Sequence, residues 1–271
     1  DSGEGERWDR LVIPALCTDA ATDPLGREVG EPIETERFNT ESVQLRHQAM
    51  GAYQASSLEQ QEPSHAVGSE IQRDWWQLTE TRLIPAAHDG VIVWDLALRA
   101  KETNDYSVGA VWLRHNADYF LADLYRGRWS QAVLSAAVAL AHVRHPKWMQ
   151  RIETGGAGPD IMDFLKKPQA GYVLPEKAVF QLGILPGEGP KVERVIRTGL
   201  PWITPLTPKG DKVARVRHVA AAIETGNVWL VRAPWTQAFI DEHADFPNGH
   251  HDDQVDTTSY GLSLLRGRLH T

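Results

Sequence analysis

Three apolar segments between residues 90 and 125 constrain the fold more than any other feature of this sequence. They are VIVWDLAL from Val91, the run from Tyr106 to Leu113, and the run from Tyr119 to Tyr125. Only short polar gaps separate them, which is typical of an antiparallel meander. Helical and strand patterns then alternate to the C-terminus, so the sequence predicts an α/β fold with a mixed sheet flanked by helices.

The later segments carry recognisable boundaries. Ser130 is a favourable N-cap for a helix that Pro146 would end, and Gly226 lies just past the end of another helix. The basic, Pro/Gly-rich residues 168–210 are interpreted as an insertion with two short strands. The remaining predicted elements are a strand in WMQRIE, a helix in GAGPDIMDFLKK, a helix in DKVARVRHVAAAIETGN, a strand in VWLV, a helix from Thr236 to His243, and a last helix in HDDQVDTTSYGLSLLRG.

Residues 1–70 differ in character from the rest of the chain. Leu11 to Leu16 is predicted to be a short strand, residues 40–61 a helix, and EPSHAVGS a linker. We interpret residues 1–70 as the end of a neighbouring domain and a connector, which together form an N-terminal appendage. Residues 71–271 are interpreted as the main domain. Because the chain begins at Asp1 without Met, we expect it to be a fragment of a longer protein.

Composition and charge exclude several classes of protein. With 42% hydrophobic and 24% charged residues the chain is not disordered throughout, no apolar run approaches a membrane span, and a single cysteine excludes a disulfide framework. The net charge is -8, but residues 191–217 hold seven basic side chains against two acidic ones. We expect any nucleic acid to contact this basic stretch. Its candidate contacts are Arg194, Arg197, Lys209, Lys212, Arg215 and Arg217.

Acidic residues occur where they need an explanation. Asp95 follows Val91–Trp94 in an apolar strand, and Glu153 ends WMQRIE just before GGAG. Burying either carboxylate is costly without a partner. A turn-capping role for Asp95, and an ion pair of Glu153 with Arg151 or another arginine, remain open as structural explanations beside a functional one.

The motif HDDQVD gives the sharpest signal. Asp252, Asp253 and Asp256 crowd the first turn of the last helix, and the helix dipole explains only one of them. Hard oxygen ligands of this kind suit Mg²⁺ or Mn²⁺. Carboxylates from two strand ends and one helix start are also what a two-metal phosphodiesterase site requires, in which the ions activate a water and stabilise the leaving oxygen.

Several motifs, taken in their order, resemble the nuclease domain of the large terminase subunit of tailed bacteriophages. The matching stretches are VIVWDLALRAKETNDYSVGAVW, YFLADLYRGRWS, RIETGGAG, DKVARVRHVAAAIETGNVWL and FPNGHHDDQVDTTSYGL. They cover most of residues 90–265. RWDRLVIPALC, DPLGREVGEPIETERF and the QQEP stretch similarly resemble the end of the ATPase domain and the linker of that family.

The resemblance implies a ribonuclease H-like fold and a set of metal ligands. Asp95, Glu153 and Asp253 match the catalytic ligands for two Mg²⁺ or Mn²⁺ ions, and Asp252 and Asp256 are possible supplements. Asp105 in NDYS matches a further acidic position. The chain departs from the family at Thr257, where Ala is common, and we expect no effect on metal binding.

The function that the resemblance implies is cutting double-stranded viral DNA concatemers during genome packaging, in the cytoplasm of the host cell. The implied partners are DNA, the small terminase subunit, the portal and the protein's own ATPase domain, without a membrane. No G-x-x-x-x-G-K-[ST] loop occurs, so this chain alone cannot be the packaging ATPase. The alternatives are a resolvase or transposase on the same fold, and a non-catalytic DNA-binding or docking module whose acidic cluster only caps a helix.

Overall fold

A computed structural model describes residues 11–34, 37–50, 59–61, 70–97, 106–208 and 210–267. The chain divides into two compact units, Asp1–Val67 and Gly68–Thr271. In the first unit, helix α1 spans Thr40–Met50, and residues 51–58 of the longer helix predicted there lie outside the described residues. The predicted strand from Leu11 to Leu16 is wrong, because only a single bridge between Leu16 and Pro32 forms there.

The second unit is built on a seven-stranded mixed sheet. Its strands are β1 (Gln77–Thr79), β2 (Asp89–Asp95), β3 (Ser107–His115), β4 (Asp118–Gly127), β5 (Met149–Glu153), β6 (Thr204–Leu206) and β7 (Val228–Val231). They lie in the order β1-β7-β4-β3-β2-β5-β6. Strand β3 pairs antiparallel with both neighbours, and the other pairs are parallel. The predicted meander and mixed sheet are confirmed.

Helices cover both faces of this sheet. They are α2 (Gln131–Arg144), α3 (Gly158–Lys166), α4 (Glu176–Leu182), α5 (Gly189–Thr198), α6 (Lys212–Glu224), α7 (Thr236–Asp245) and α8 (Asp253–Gly267). On one face, Ile92 and Trp94 of β2 belong to a buried cluster with side chains of α2 to α5. On the other face, Val91 and Val93 pack with α6, α7 and α8. Because side chains alternate along a strand, Asp95 lies on the face that α6 to α8 cover.

The two short strands predicted within residues 168–210 are wrong. The structure has helices α4 and α5 there, followed by the single short strand β6. Val192 and Ile196 of α5 are fully buried in the cluster beneath α2, which gives this segment a helical apolar face despite its Pro and Gly content. Arg144 of α2 pairs with Glu188 at 2.9 Å and ties the segment to that helix.

Other predicted boundaries hold in outline. Ser130 is the N-cap residue of α2, although its side chain makes no capping hydrogen bond. In α8 the side chains of Val255, Thr258, Leu262 and Leu265 are buried as expected. Among the helices that the structure describes, none has the length and apolar character that a membrane crossing requires.

Candidate active site

Asp95 and Glu153 lie side by side at the edge of the sheet. Strands β2 and β5 run parallel with Trp94 opposite Ile152, so the next residues are Asp95 and Glu153. Neighbouring strands are about 4.8 Å apart, and both carboxylates extend toward the face covered by α6 and α8. The two strand-end acids singled out in the sequence are therefore neighbours.

A tight glycine turn follows Glu153. Gly156 has a φ of +55°, and a Cβ on it would lie 1.8 Å from the carbonyl oxygen of Leu96. The amide of Ala157 donates to that same oxygen at 3.0 Å. Because these glycines have no Cβ, the turn after β5 packs closely against the backbone of Leu96, the residue that follows Asp95. This contact holds the end of β5 against the end of β2.

Helix α8 brings its acidic first turn to the same place. The amide of Asp256 donates to the Asp252 carbonyl at 3.1 Å, which begins the helix, and a carboxylate oxygen of Asp253 accepts from the amide of Tyr106 at 3.3 Å. The amide of Gln254 is capped by Glu242 of α7 at 2.7 Å. A carboxylate from a neighbouring helix therefore satisfies one backbone donor at the start of α8.

The carboxylates repel one another electrostatically. The pKa of Asp95 is raised to about 8, first because burial disfavours the charged form and next because Glu153 is negative. The charges of Asp256 and Asp253 act in the same direction, and the positive charge of Lys212 acts against them. A pKa that is raised by burial and, in addition, by several neighbouring carboxylates is typical of functional sites, because the ionised acids then need a nearby cation.

Glu153 is held by a residue that the sequence patterns did not single out. Burial and the charge of Asp256 raise the pKa of Glu153, whereas Arg215, Lys212 and a hydrogen bond from Tyr260 lower it. Tyr260 lies on α8, two turns after Asp253. Its hydroxyl reaches Glu153 at the end of β5 from the helices that cover this face of the sheet. The alternative ion pair between Glu153 and Arg151 does not form.

Two cations engage the supplementary carboxylates. The Lys212 ammonium lies 2.5 Å from Asp252 and 2.6 Å from Asp256, and Arg215 lies 3.0 Å from Asp256. The guanidinium of Arg215 also lies 4.9 Å from the ring centroid of Tyr260. Helix α6 thus places positive charge directly against the start of α8.

The donor set fits a hard divalent cation. Oε2 of Glu153 is buried, and the structure gives it no hydrogen-bond partner. Carboxylates, which Mg²⁺ and Mn²⁺ prefer as ligands, lie near it, together with the cations Lys212 and Arg215 and the hydroxyl of Tyr260. Within the part of the chain that the structure describes, however, no three His, Cys, Asp or Glu side chains are close enough to hold one ion. The acids act on one another through their charges, and two of them, Asp252 and Asp256, form ion pairs with Lys212.

The remaining basic residues predicted to contact DNA lie on different faces of the sheet. On α6, Arg217 pairs with Glu70 at 2.7 Å, and on α5, across the sheet, Arg197 pairs with Glu193 at 2.8 Å. Arg194 is exposed on α5. The basic stretch therefore does not form one surface. Asp105 and Lys209 lie outside the described residues.

Two further ion pairs join β4 to the helices. The carboxylate of Asp123 lies 3.0 Å from Nε2 of His145, at the end of α2. Arg126 pairs with Glu242 of α7 at 3.0 Å. Partners contributed by distant helices decide both contacts, and no local sequence signal identifies them.

Comparison with known proteins agrees with this architecture. Residues 92–265 match the family described as the terminase RNaseH-like domain. No curated protein matches the chain. The large terminase of the thermophilic bacteriophage D6E, solved in complex with ADP, matches with a TM-score of 0.51 and 11% identity, covering 83% of this chain and 52% of that one. The present chain therefore spans about half the length of that terminase.

Two shorter structures are also similar. The large terminase nuclease of the thermophilic phage G20c gives a TM-score of 0.43 at 14% identity, with 73% of this chain and 98% of that chain covered. The human cytomegalovirus terminase nuclease domain gives a TM-score of 0.44 at 12% identity, with 71% and 92% covered.

The family match extends over more than half of the chain, from β2 into α8, and so includes the ends of β2 and β5 and the start of α8. Together with the D6E match it confirms the predicted ribonuclease H-like fold class. The chain belongs to the terminase RNaseH-like domain family.

Proposed function

We propose that this chain is a Mg²⁺- or Mn²⁺-dependent endonuclease that cuts double-stranded viral DNA concatemers during genome packaging. The observation that carries the proposal is the meeting of Asp95 and Glu153, at the ends of two paired strands, with the acidic first turn of α8. Burial first, and then the charges of Glu153, Asp256 and Asp253, raise the pKa of Asp95 to about 8 there. Ionised together, these carboxylates need nearby positive charge. Membership of the terminase RNaseH-like domain family also supports a nuclease function.

In this proposal Asp95, Glu153 and Asp253 would hold two divalent ions. When bound, such ions lower the pKa of a water and stabilise charge on the departing 3′ oxygen. The hydrolysis adds one water across one P–O bond and leaves a hydroxyl on one fragment and a phosphate monoester on the other. Tyr260 orients Glu153 through its hydroxyl, and the glycine turn keeps Glu153 beside Asp95.

Asp252 and Asp256 are proposed as supplementary ligands, with Asp105 as a further acidic candidate. Lys212 and Arg215 hold the first two in place. The phosphate-binding role expected for the basic residues of α5 and α6 stays a prediction, because in the structure most of them already face a carboxylate.

We further propose that the chain acts beside an ATPase domain and with the small terminase subunit and the portal, in the host cytoplasm. The relation to the D6E large terminase supports this, since that protein was solved with ADP and the match to this chain covers only 52% of it. Residues 1–70 would then be the end of the ATPase domain and its linker.

The test compares three single variants in a plasmid-cleavage assay with Mn²⁺. We expect Asp95→Asn and Asp253→Asn to abolish cleavage while the proteins stay folded. The matched control is Asp163→Asn, whose side chain is 71% exposed on α3 and pairs with Lys167. Cleavage at the parent rate by either site variant would overturn the assignment.

A second measurement separates the nuclease from a non-catalytic docking module. A bound ion adds RT ln(1+[L]/Kd) to the free energy of unfolding, so Mn²⁺ should raise the Tm of the parent and of Asp163→Asn but not of Asp95→Asn. An acidic cluster that only caps a helix would give no Mn²⁺-dependent shift in any of them.

A further inference from the structure

Arg151 lies on β5 two residues before Glu153. Because side chains alternate along a strand, both residues point to the face of the sheet that holds the candidate site, and their backbones are about 7 Å apart. The neighbours of Arg151 in the sheet are Val93 of β2 and Thr204 of β6. Strand β6 is the last of the sheet, so Arg151 lies one strand from this edge.

The guanidinium of Arg151 is half-buried, and its Nε–H has no acceptor. That nitrogen is buried without a hydrogen-bond partner, and no carboxylate in the described part of the chain forms an ion pair with Arg151. Glu153, the nearest acid along the strand, accepts a hydrogen bond from Tyr260 instead. A guanidinium stays charged near neutral pH, and its partial burial is costly unless an anion compensates it. The position therefore suits a bound anion.

Two other cations near the site have carboxylate partners. Lys212 and Arg215 both pair with Asp256 in the first turn of α8, so a phosphate that approaches them must compete with that carboxylate. In a protein of net charge -8, a favourable field for DNA has to be local. Arg151 offers its charge on the same face of the sheet without an ion pair to break.

We propose that Arg151 binds a backbone phosphate of double-stranded DNA within about two nucleotides of the phosphate at the carboxylate site. About 7 Å separates the backbones of Arg151 and Glu153, and successive phosphates of one DNA strand advance about 3.4 Å along the helix axis. The guanidinium fork matches a phosphate in two hydrogen bonds, and such a contact positions the duplex without reading its sequence. The inference rests on the proposed function and extends it by naming a DNA contact on the β5–β6 side of the site.

The test measures DNA binding by Arg151→Met across a salt series, in Ca²⁺ to suppress cleavage, with two unrelated duplexes. Methionine keeps an apolar stem in the half-buried position and removes the charge. Loss of one phosphate contact lowers the magnitude of the slope of log K against log salt by about 0.9, with affinity falling equally for both duplexes.

The matched control is Lys167→Met, which also removes one positive charge. Lys167 follows α3 on the opposite face of the sheet, where its side chain is 67% exposed and pairs with Asp163. This variant should keep the slope of the parent.

Two further substitutions keep the test decisive if Arg151→Met does not fold. Arg151→Gln is neutral but keeps an N–H donor, and it should lose the same slope. Arg151→Lys keeps the charge, so it should keep the parent slope while binding DNA less tightly, because an ammonium lacks the planar fork. A slope for Arg151→Lys as low as that of the neutral variants would contradict the inference.

A purely structural role for Arg151 would be to compensate the charge of Glu153. In that case the neutral variants would keep the parent slope and change only the Mn²⁺ affinity, measured by isothermal titration, because a positive charge beside a metal ligand is lost. That result, or an equal loss of slope in Lys167→Met, overturns the inference.

The outcomes separate this inference from the proposed function. A parent-like slope for Arg151→Met, together with loss of cleavage in Asp95→Asn, overturns only the DNA contact. A reduced slope for Arg151→Met, together with parent-like cleavage by Asp95→Asn, supports a phosphate contact at Arg151 and overturns the assignment of the catalytic carboxylates.

Discussion

The ammonium of Lys212, at the first position of α6, lies 2.6 Å from a carboxylate oxygen of Asp256 in the first turn of α8. It also contacts Asp252 at 2.5 Å. One lysine therefore compensates two of the three acids that crowd this helix start. The contact joins the two helices beside the carboxylates of β2 and β5.

The first prediction concerns the stability that Lys212 provides. Lys212→Met should lower the free energy of unfolding by about 1–2 kcal/mol at pH 8 without metal, between the values for exposed and buried ion pairs. Mn²⁺ should recover more stability in this variant than in the parent, because it replaces the missing positive charge. The control is Lys167→Met, which breaks a pair whose side chains are 67% and 71% exposed. Equal denaturation midpoints for the two variants would contradict the prediction.

The second prediction decides whether α6 also contacts DNA. In Lys212→Ala with Arg215→Ala, two lost phosphate contacts would reduce the slope of log K against log salt by about 1.8. Binding is measured in Ca²⁺ with two unrelated duplexes. An unchanged slope would leave both residues as partners of Asp252 and Asp256 only.

The third prediction follows from the pKa of Asp95, which is about 8 in the folded chain and 3.8 in its ordinary state. Between these values the unfolded chain has lost the proton and the folded chain keeps it, so rising pH disfavours folding. This contribution to stability is fully present below about pH 4 and is lost as pH rises toward 8.

Asp95→Asn removes that dependence. Without metal, the variant should match the parent near pH 4 and exceed it at pH 9 by at least about 1 kcal/mol, or roughly 2–4 °C in Tm for a chain of this size. Asp163→Asn should follow the parent throughout. A parent Tm that does not fall relative to Asp95→Asn between pH 5 and 9 would show that Asp95 ionises normally.

The fourth prediction concerns Tyr260. Tyr260→Phe removes the hydroxyl that hydrogen-bonds Glu153, and loss of a group that orients a ligand typically weakens metal binding about 10–100-fold. Isothermal titration with Mn²⁺ measures the effect directly. The control, Tyr119→Phe, alters a buried tyrosine near the start of β4, at the far edge of the sheet. Equal Mn²⁺ affinity in both variants would exclude a role for Tyr260 in holding Glu153.

The sequence predicted those features that local patterns determine. The apolar run before Asp95 predicted strand β2 with the acid at its end. The crowded acids of HDDQVD predicted where α8 begins. For residues 168–210 the Pro/Gly-rich composition led to the expectation of an insertion with two short strands. The structure instead has Gly189 and Pro190 in the first turn of α5, where proline is compatible with a helix.

The missing parts of the site come from distant elements. Glu242 caps α8 from α7, and Tyr260 reaches Glu153 from another layer of the fold. Neither residue has a motif of its own, since each contact depends on how helices pack on the sheet. The pairing of Lys212 with Asp252 joins residues forty positions apart and is equally invisible to local patterns.

The last prediction tests the glycine turn that fixes Asp95 beside Glu153. Gly156→Ala would place a methyl group 1.8 Å from the Leu96 carbonyl oxygen, in a left-handed conformation with φ of +55°. The strained backbone and the clash together should cost more than about 2 kcal/mol in the free energy of unfolding. Mn²⁺ affinity should fall as well, because Leu96 directly follows Asp95 and any movement of its carbonyl separates the two carboxylates. Gly171→Ala is the matched control, since its Cβ would meet nothing within 4 Å. If both variants unfold at the same denaturant concentration and bind Mn²⁺ alike, the turn does not hold the site together.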